Sequence, residues 1–398
     1  MNFPGTSEPS SLLLDAYRSA LEHADPEKAT IRALRRGDLQ PWIWSFPTIR
    51  LLGAGKAAAP MARAVEWELG ERLEGGVVVV KEGHSLPLER IEVLESAHPM
   101  PDERSLAAGS RLLGEAAALD SDALLIFVLS GGASSLIEVP EEGFTLADLR
   151  QKNDELLRSG LPIEAINEER RRLSAIKGGR LAARTRASLL TLIVSDVPQG
   201  GPEVVGSGPT LVSFPPKDPR HRALVIADHR GALEAAATAL ESKDVEVIEM
   251  HPGGLCQGTA RELGGALRGI WRHRRGRRSA LLWSGEAIVE VRGAGRGGRN
   301  QELALAAALA LRGTQGVTVA VLATDGQDGP TDAAGAIVDG MTALRMEEGG
   351  LDPTRHLEES NAYPALDAAG ALVKTGPTLT NVNDLLIVLV EPWAEGGE

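Results

Sequence analysis

A glycine-rich segment in the last third of the chain carries the strongest chemical signal. Residues 292–300 interleave Arg292, Arg296 and Arg299 with four glycines, and a helical pattern begins at Arg299. Glycine lets backbone N–H groups turn toward an anion, guanidinium groups bind phosphate or carboxylate with paired hydrogen bonds, and a helix N-terminus adds positive potential. The segment therefore predicts an anion site that includes Gly297, Gly298 and Arg299.

A second glycine-rich segment, residues 52–58, reads L-G-A-G-K-A-A. Its Lys56 is one of only eight lysines in the chain, and an ammonium group inside such a turn would face a bound phosphate. The segment is not a Walker A loop, because Arg50 stands where the first glycine belongs and Ala57 where the hydroxyl belongs. We therefore expect Lys56 to act on an anion without a P-loop.

The same segment also matches the dinucleotide-binding pattern G-x-G-x-x-[GA] at Gly53, Gly55 and Ala58. Glu82, near the end of the next predicted strand, would be the acid that binds a ribose hydroxyl. Two more glycine-rich segments, residues 129–135 and 200–210, also follow predicted strands. A nicotinamide-dependent reductase is therefore an alternative that these residues leave open.

Two acidic residues stand just after predicted strands. Asp196 follows the apolar run 189–194, and Asp325 follows the run 317–322. Ligands of open α/β sheets lie beyond the carboxyl ends of the strands, so both carboxylates are candidates to hold Mg²⁺ or to accept a hydroxyl proton. The alternative is that each aspartate caps the turn or helix that follows it.

Composition limits the classes of function. The chain has 398 residues, of which 43% are hydrophobic, and its formal net charge is −13. This charge argues against a general nucleic-acid or anionic-membrane protein. The single cysteine, Cys256, excludes disulfides within the chain and cysteine-based zinc sites. With no apolar run of about 18 residues and no signal-peptide pattern, we expect a cytoplasmic protein without a membrane span.

The elements that must position these residues follow from hydrophobic periodicity. Apolar runs that end in Gly or Asp alternate with helical patterns, which predicts an α/β protein with a mostly parallel sheet. The predicted strands are residues 49–53, 76–81, 91–95, 124–129, 189–194, 223–227, 245–249, 280–283, 287–292, 317–322 and 385–390. The predicted helices include residues 11–24, 57–69, 104–119, 233–240 and 299–311. Three prolines in residues 213–219 predict a linker between two domains, 1–219 and 220–398.

The ordered set of motifs resembles that of the class II glycerate kinases, also known as the glycerate 2-kinase or MOFRL family. The resemblance extends over nearly the whole chain, far more than any single loop. It is carried by residues 55–58, 98–102, 129–132, 173–179, 195–197, 207–209, 285–286, 297–302, 324–326, 328–335, 375–378 and 380–384, with Asn167 and Arg170.

The resemblance implies an ATP-dependent phosphotransferase that converts D-glycerate to 2-phosphoglycerate at the C2 hydroxyl, with Mg²⁺ or another divalent cation. It also implies a larger Rossmann-like N-terminal domain, a smaller α/β MOFRL-type C-terminal domain and an active site in the cleft between them. Lys56 and Arg299 match the positions of the catalytic pair proposed for the family. A homodimer is a further expectation, and glycerate and ATP are the expected partners.

Other residues in the matched motifs become candidates for binding. The substrate carboxylate needs a donor, and the residues leave three choices open: Arg170, Lys177, or the amides of Ser130, Gly131 and Gly132. Gly53 and Gly55 are candidates for nucleotide contact, and Asn300, Thr380, Asn381 and Asn383 offer neutral polar contacts. The candidate metal ligands are Asp196, Glu286 and Asp325.

The sequence departs from the family pattern in three places. Gln199 and Gly200 follow the Ser-Asp-Val-Pro segment where a second acid is usual, and Ala287 replaces a threonine. Leu379 replaces a glycine at a position where the backbone needs a positive φ or a close approach to ligand. Two alternatives to the kinase thus remain: an NAD(P)H-dependent hydroxypyruvate reductase, and a nucleotide-binding relative without turnover.

Overall fold

The computed structural model describes residues 7–159, 163–198, 200–257, 259–267 and 276–392. It forms two compact units, and each has its own sheet. The Rossmann unit is Asp25–Asp228, and the C-terminal unit combines His229–Glu398 with Met1–Ala24.

These units differ from the predicted ranges 1–219 and 220–398 at both ends. The strand that follows the proline-rich segment, His221–Ala227, pairs in parallel with Ser188–Val194, so it extends the first sheet. The N-terminal helix Glu8–Ala24 belongs to the C-terminal unit, where Tyr17 donates a hydrogen bond to the Ala323 carbonyl at 2.6 Å. Residues 213–219 are therefore a connection within the Rossmann unit.

The sheet of the Rossmann unit is parallel throughout, with strand order β3-β2-β1-β4-β5-β6. This order is that of a Rossmann fold, and it reverses direction between β1 and β4, where such folds bind ligands. Every residue of β4 is buried, as expected of a strand covered on both faces. The strands are β1 (Thr48–Ala54), β2 (Leu73–Lys81), β3 (Ile91–Ser96), β4 (Ala123–Leu129), β5 (Ser188–Val194) and β6 (His221–Ala227).

Helices connect these strands. Asp102 begins one of them through a capping box, in which its carboxylate accepts the amides of Arg104 and Ser105. Numbered along the whole chain from α1 (Glu8–Ala24), the helices of this unit are α2 (Pro26–Leu34), α3 (Gln40–Trp44), α4 (Ala58–Leu69), α5 (Glu103–Ala117), α6 (Ala133–Leu136), α7 (Leu146–Arg158) and α8 (Ile163–Arg172). Single 3₁₀ turns lie at Gly70–Arg72 and Ala182–Arg184, with a longer one at Pro202–Ser207.

The sheet of the C-terminal unit has the order β11-β10-β9-β12-β8-β7, and only the β7–β8 pair is parallel. The prediction of a mostly parallel sheet is therefore wrong for this unit. The connection between β9 and β10, residues 324–334, contains no helix, and so short a link joins antiparallel strands. The strands are β7 (Glu246–His251), β8 (Ser279–Gly285), β9 (Val317–Ala323), β10 (Gly335–Asp339), β11 (Leu372–Val373) and β12 (Asp384–Val390).

The predicted strands of this unit differ from the observed ones in three places. The sequence did not predict β10 and β11, and the predicted strand 287–292 does not form. Within that segment Ile288 makes one isolated bridge to Thr259, and Glu290 and Arg292 form an exposed ion pair. No described helix is long and apolar enough to cross a membrane.

The helices of the C-terminal unit cover this sheet. The packing of α1 against the helix His229–Glu241 explains why the start of the chain belongs here. The remaining helices are α9 (His229–Glu241), α10 (Ala260–Ala266), α11 (Arg299–Ala310), α12 (Thr342–Glu348), α13 (Pro353–Glu358) and α14 (Ala362–Ala368), with a 3₁₀ turn at Gly254–Gln257. Residues 300–308 of α11 are all buried, so the backbone that carries Arg299 is firmly held.

Candidate functional site

The loop after β1 offers a side chain, not its backbone, to an anion. Its four amides are already bonded: Gly55 to Val79 O, Lys56 to Gly131 O, Ala57 to Ser130 Oγ and Ala58 to Gly55 O, at 2.9–3.1 Å. A phosphate cradle needs amides that point outward. The backbone cradle expected here is therefore closed, and the Lys56 ammonium is the group left to act on an anion.

The two predicted nucleotide glycines in this segment have packing roles. A Cβ on Gly53, inside β1, would lie 2.2 Å from Val128 Cγ2. A Cβ on Gly55, which has a φ of +135°, would lie 2.1 Å from Ser130 Oγ. Because these contacts and the bonded amides explain the pattern, the structure gives no support to a dinucleotide fingerprint at this turn.

The loop after β4 lies at the switch point and gathers three polar side chains. An ideal Cβ on Gly131 would lie 2.0 Å from Asp196 Oδ2. One on Gly132, at a φ of +88°, would lie 3.1 Å from His98 Cδ2 and 3.2 Å from Lys56 Cγ. Glycine at these two positions is what lets Lys56, His98 and Asp196 approach one another.

Beside this cluster lies a cavity of about 260 Å³ within the Rossmann unit. The amides of Gly131 and Gly132 have no acceptor among the described residues. The lining includes His98, Gly131, Gly132, Ser134, Asn153, Asn167, Arg170, Asp196 and Ser207. Polar donors thus converge on a space at the position where the fold binds ligands.

His98 is kept neutral in this cluster. Burial, together with the positive charges of Lys56 and Lys81, lowers its pKa from the ordinary 6.5 to about 4. The neutral imidazole of His98 can then act only through hydrogen bonds, and Lys56 supplies the positive charge of the cluster.

The depressed pKa of His98 predicts a pH dependence of stability. Between about pH 6.5 and 4 the unfolded chain binds a proton that the folded imidazole does not, so the free energy of unfolding must fall as the pH is lowered. We expect a loss of about 1 kcal/mol between pH 7 and pH 5, after allowance for the exposed part of the ring. Urea unfolding of the wild type and of His98→Gln at both pH values measures this loss, and an identical loss in the variant would refute the assignment.

Arg170 lines the cavity, whereas Lys177 lies outside the cavity lining. The Nε of Arg170 donates to Asn153 Oδ1 at 2.9 Å, and burial lowers its pKa against the opposing charge of Glu138. Lys177 is 2% exposed and forms a buried ion pair with Glu138, which also accepts from Ser174. Burial lowers the pKa of Lys177, and Lys177 does not line the cavity.

Arg299 begins α11 in the C-terminal unit and is held by two acids. Its Nε and Nη2 donate to Asp384 Oδ2 and Oδ1 at 2.6 and 3.2 Å, and its Nη1 lies 2.8 Å from Glu286 Oε1. Burial alone would lower the pKa of the guanidinium, but the bonds and charge of Asp384, with Glu286, raise it. Asp384 opens β12 opposite Gly285 of β8, so all three side chains share one edge of the sheet.

In the glycine-rich segment before α11, four backbone amides are bonded within the protein. The amides of Asn300 and Gln301 donate to Asp328 at 3.1 and 2.8 Å. The amides of Arg292 and Arg296 donate to Ser360 Oγ and Asn361 Oδ1. These bonds fix the helix start from within the protein, and the arginine side chains remain as the cationic groups.

The glycines of this segment allow close packing. A Cβ on Gly293 or Gly295 would lie 2.5 Å from Glu359 O or Asn361 Cβ, and one on Gly298 would lie 2.3 Å from Asp328 Cγ. A Cβ on Gly297 would lie 3.3 Å from the Ala362 amide nitrogen. The glycine excess in this segment is thus explained by packing against residues 328 and 359–362.

The predicted polar contacts near β12 serve mainly to hold its backbone. Thr380 donates to the Ala24 carbonyl at 2.6 Å, and Asn381 Oδ1 accepts the Asn383 amide at 3.1 Å. Asn383 has a φ of +68°. Asn300 is fully buried, and its carboxamide has no hydrogen-bond partner of ordinary geometry among the described residues.

The three predicted metal ligands are divided between the two units. Asp196 belongs to the Rossmann unit, and Glu286 and Asp325 belong to the C-terminal unit, where Glu286 pairs with Arg299 and Asp325 accepts the Gln327 amide at 2.9 Å. In the described part of the chain no three His, Cys, Asp or Glu side chains are arranged to hold a metal ion.

Leu379 has the backbone conformation that its replacement of glycine predicts. Its φ is +63° and its side chain is 71% exposed, so it bears left-handed strain with few contacts to offset it. Ala287 is buried in the core of the C-terminal unit. Gln199 lies outside the described residues, and the adjacent Gly200 has a φ of +99°.

This strain predicts that Leu379→Gly stabilises the protein. Removing the Cβ relieves about 1 kcal/mol, partly offset by the greater freedom of glycine in the unfolded chain, so Tm should rise by about 1–3 °C. Leu379→Ala is the matched control, because it removes the same side chain but keeps the Cβ. Calorimetry that shows equal Tm changes for the two variants would contradict the strain.

The fold is that of a two-unit α/β protein with a Rossmann sheet in one unit and a mixed sheet in the other. Residues 12–241 match the model of a domain of unknown function, DUF4147, and residues 279–384 match the MOFRL family. The chain is 37% identical to a D-glycerate 2-kinase from Thermotoga maritima, over 95% of this chain and 98% of the relative. It therefore belongs to the glycerate 2-kinase family, as the motifs predicted.

Solved structures agree with this membership. The crystal structure of a Thermotoga maritima glycerate kinase superposes with a TM-score of 0.85 at 35% identity, and the match covers 96% of this chain and 99% of that one. A glycerate 2-kinase from Pyrococcus horikoshii is 34% identical over 93% of this chain and 95% of its own length. A protein from Agrobacterium vitis, 37% identical over 94% of this chain and 93% of its own length, is named provisionally as a hydroxypyruvate reductase.

Sequence reasoning missed three residues that the structure places beside the predicted pair. His98 packs next to Lys56, and Asp384 and Asp328 hold Arg299 and the start of its helix. All three stand in segments that carried the family resemblance, so their motifs were visible. Their partners were not, because each contact joins residues far apart in the chain.

Proposed function

We propose that this protein transfers the γ-phosphoryl group of ATP to the C2 hydroxyl of D-glycerate and releases 2-phosphoglycerate and ADP. The observation that carries the proposal is the cluster of Lys56, His98 and Asp196 around Gly131 and Gly132, at the edge of a polar cavity at the switch point. The membership of the chain in the glycerate 2-kinase family supports this reading.

D-Glycerate fits the chemistry of this cavity. It is a three-carbon acid with two hydroxyls, and about 260 Å³ holds a ligand of that size. Arg170 is our choice for the carboxylate, because it lines the cavity and its part-buried guanidinium can donate paired hydrogen bonds to a carboxylate. The buried ion pair of Lys177 with Glu138 favours Arg170 over Lys177 for this role. The free amides of Gly131 and Gly132 can bind a second oxygen.

Lys56 and Arg299 are the two cations that we expect to act on the transferring phosphoryl group. Phosphoryl transfer passes through a loose transition state with charge spread over the equatorial oxygens, so catalysis is mostly alignment and charge neutralisation. We propose that Lys56 and Arg299 each neutralise negative charge on the phosphoryl group during its transfer.

We propose that a divalent cation takes part in the reaction, as is usual in kinases. Mg²⁺ keeps several waters and is held by one or two carboxylates together with the nucleotide phosphates. Such an ion needs no cage of three protein acids, and when bound it would neutralise charge on the phosphates. We place the protein in the cytoplasm, where ATP is abundant, with small molecules as its partners; the homodimer stays a prediction.

The bonded amides at residues 55–58 argue against the reductase alternative, because a dinucleotide pyrophosphate would find no free donor in that turn. One assay separates the readings. The protein is incubated with ATP, MgCl₂ and D-glycerate, and the product is followed by ³¹P NMR; in parallel, NADH or NADPH is incubated with hydroxypyruvate.

The expected product shows a phosphorus signal split by one proton, as on C2, and NAD(P)H is not consumed. A signal split by two protons would place the phosphate on C3 and refute the regiochemistry. Oxidation of NAD(P)H without ADP formation would establish the reductase. ATP binding by calorimetry with no product would establish a relative without turnover.

A further inference from the structure

Asp384 occupies a rigid position. It is the first residue of β12, and its backbone pairs with Gly285 on one side and Ala323 on the other, so it lies within a sheet that continues in both directions. Its side chain is 1% exposed. A carboxylate on such a frame has little freedom to follow its partner, so the partner must adapt to it.

The contact that Asp384 makes fixes one whole edge of the Arg299 guanidinium. Two hydrogen bonds, from Nε at 2.6 Å and from Nη2 at 3.2 Å, define the plane and the direction of the group. Only Nη1 faces the half-exposed Glu286, at 2.8 Å. The edge that carries Nη1 is therefore the one through which Arg299 can reach a ligand.

The other end of the arginine is also fixed. Asp328 accepts the amides of Asn300 and Gln301, the second and third residues of α11, and so it holds the helix start from which Arg299 extends. Burial and the negative charge of Asp384 raise the pKa of Asp328 to about 7, although the two hydrogen bonds act in the opposite direction. Burying a carboxyl group costs free energy unless hydrogen bonds compensate, and here the two amides at the start of α11 supply them.

We propose that Asp384 is a positioning residue for phosphoryl transfer: it holds Arg299 with the Nη1 edge turned toward the incoming phosphoryl group, and Glu286 gives up that edge when the group arrives. The inference rests on the proposed function, because it takes Arg299 as the cation that acts on the transferring group. It adds that the orientation of Arg299, and not only its charge, is built into the sheet.

A purely structural ion pair would look the same in a static structure, so the test needs a readout that folding alone does not move. Asp384→Asn keeps the shape and removes the charge, and Asp384→Glu keeps the charge and moves it. We expect Asp384→Asn to lower kcat by about 10²-fold, the cost of a misplacement of about 1 Å, with a smaller change in KM.

Glu302→Gln is the matched control. Glu302 lies on the same helix and is 5% exposed, and its carboxylate pairs with Arg261 at 3.1 Å, whereas Arg299 pairs with Asp384 and Glu286. If the loss of the Glu302 charge lowers kcat, Tm should fall as well. Circular dichroism and Tm are measured for every variant, so that a loss of fold is recognised.

Chemical rescue tests the positioning role of Asp384 even if the single variant Asp384→Asn does not fold. Arg299→Ala leaves a space beside Asp384 that free guanidinium ion at tens of millimolar can enter, and we expect partial recovery of kcat. The double variant Arg299→Ala/Asp384→Asn removes both charges of the buried pair, and it should show no recovery.

The outcomes separate the two claims. Wild-type activity in Arg299→Ala would refute the role of Arg299 and with it the proposed catalytic pair. An inactive Arg299→Ala variant together with a wild-type kcat in Asp384→Asn would overturn only the positioning role. Equal rescue in the single and double variants would also overturn it, whereas rescue confined to the single variant supports it.

Discussion

Replacing Arg299 with alanine is expected to lower kcat by at least about 10²-fold, the usual cost of removing one donor that stabilises transition-state charge. The guanidinium is the cation that Asp384 and Glu286 hold at the carboxyl ends of β8 and β9. Its loss leaves the loose phosphoryl group short of one positive charge while substrate binding in the Rossmann unit is kept. Steady-state kinetics with saturating ATP and D-glycerate measures the change.

Arg292→Ala is the control for this prediction. Arg292 lies in the same glycine-rich segment, but it is half exposed and pairs with Glu290 at 2.8 Å, so we expect kcat within about twofold of wild type. Equal losses in the two variants would show that the segment acts through its net charge. Wild-type turnover in Arg299→Ala would remove Arg299 from the mechanism.

Lys56→Met is expected to lower kcat by a similar factor of about 10². Methionine keeps most of the length of the side chain and its packing over Gly132, so the variant removes chiefly the charge. The amides of residues 55–58 are bonded within the protein, and the backbone cannot replace the missing ammonium. Turnover with D-glycerate measures the loss, with Lys28→Met on an exposed face of α2 as the control.

The same variant has a second, independent readout. The charge of Lys56 is one cause of the low pKa of His98, so its removal should raise that pKa above about 4. NMR titration of the His98 ring detects this rise without any assay of activity. If kcat falls but the pKa of His98 does not move, then Lys56 does not lie beside His98 as the structure places it.

The sequence was most informative about the Rossmann unit. Its strands are continuous apolar runs because both faces of a parallel sheet are buried, and runs of this kind are easy to recognise. The loops that hold Lys56 and Gly131 follow β1 and β4, so the switch point between them was implied once the strand order was known. The φ of Leu379 was also predictable, because a glycine position with a positive φ stays so when the residue changes.

Other features depend on contacts that periodicity does not encode. Helix α1 belongs to the C-terminal unit because it packs on α9, and no local pattern near residue 8 shows that partner. The glycine-rich segments suggested open anion cradles, yet the amides of Ala57, Arg296 and Asn300 bond to Ser130, Asn361 and Asp328. Glycine permits both a cradle and close packing, and only the distant partners decide between them.

The most direct test of the account is a crystal structure of the protein with ADP, aluminium fluoride and D-glycerate, which together mimic the phosphoryl group in transfer. We expect the Lys56 Nζ and the Arg299 Nη1 each within about 3 Å of a fluoride of the same aluminium fluoride group, with the glycerate C2 oxygen in line. A fluoride group that contacts only one of these cations, with the other turned toward protein alone, would contradict the shared site on which the mechanism depends.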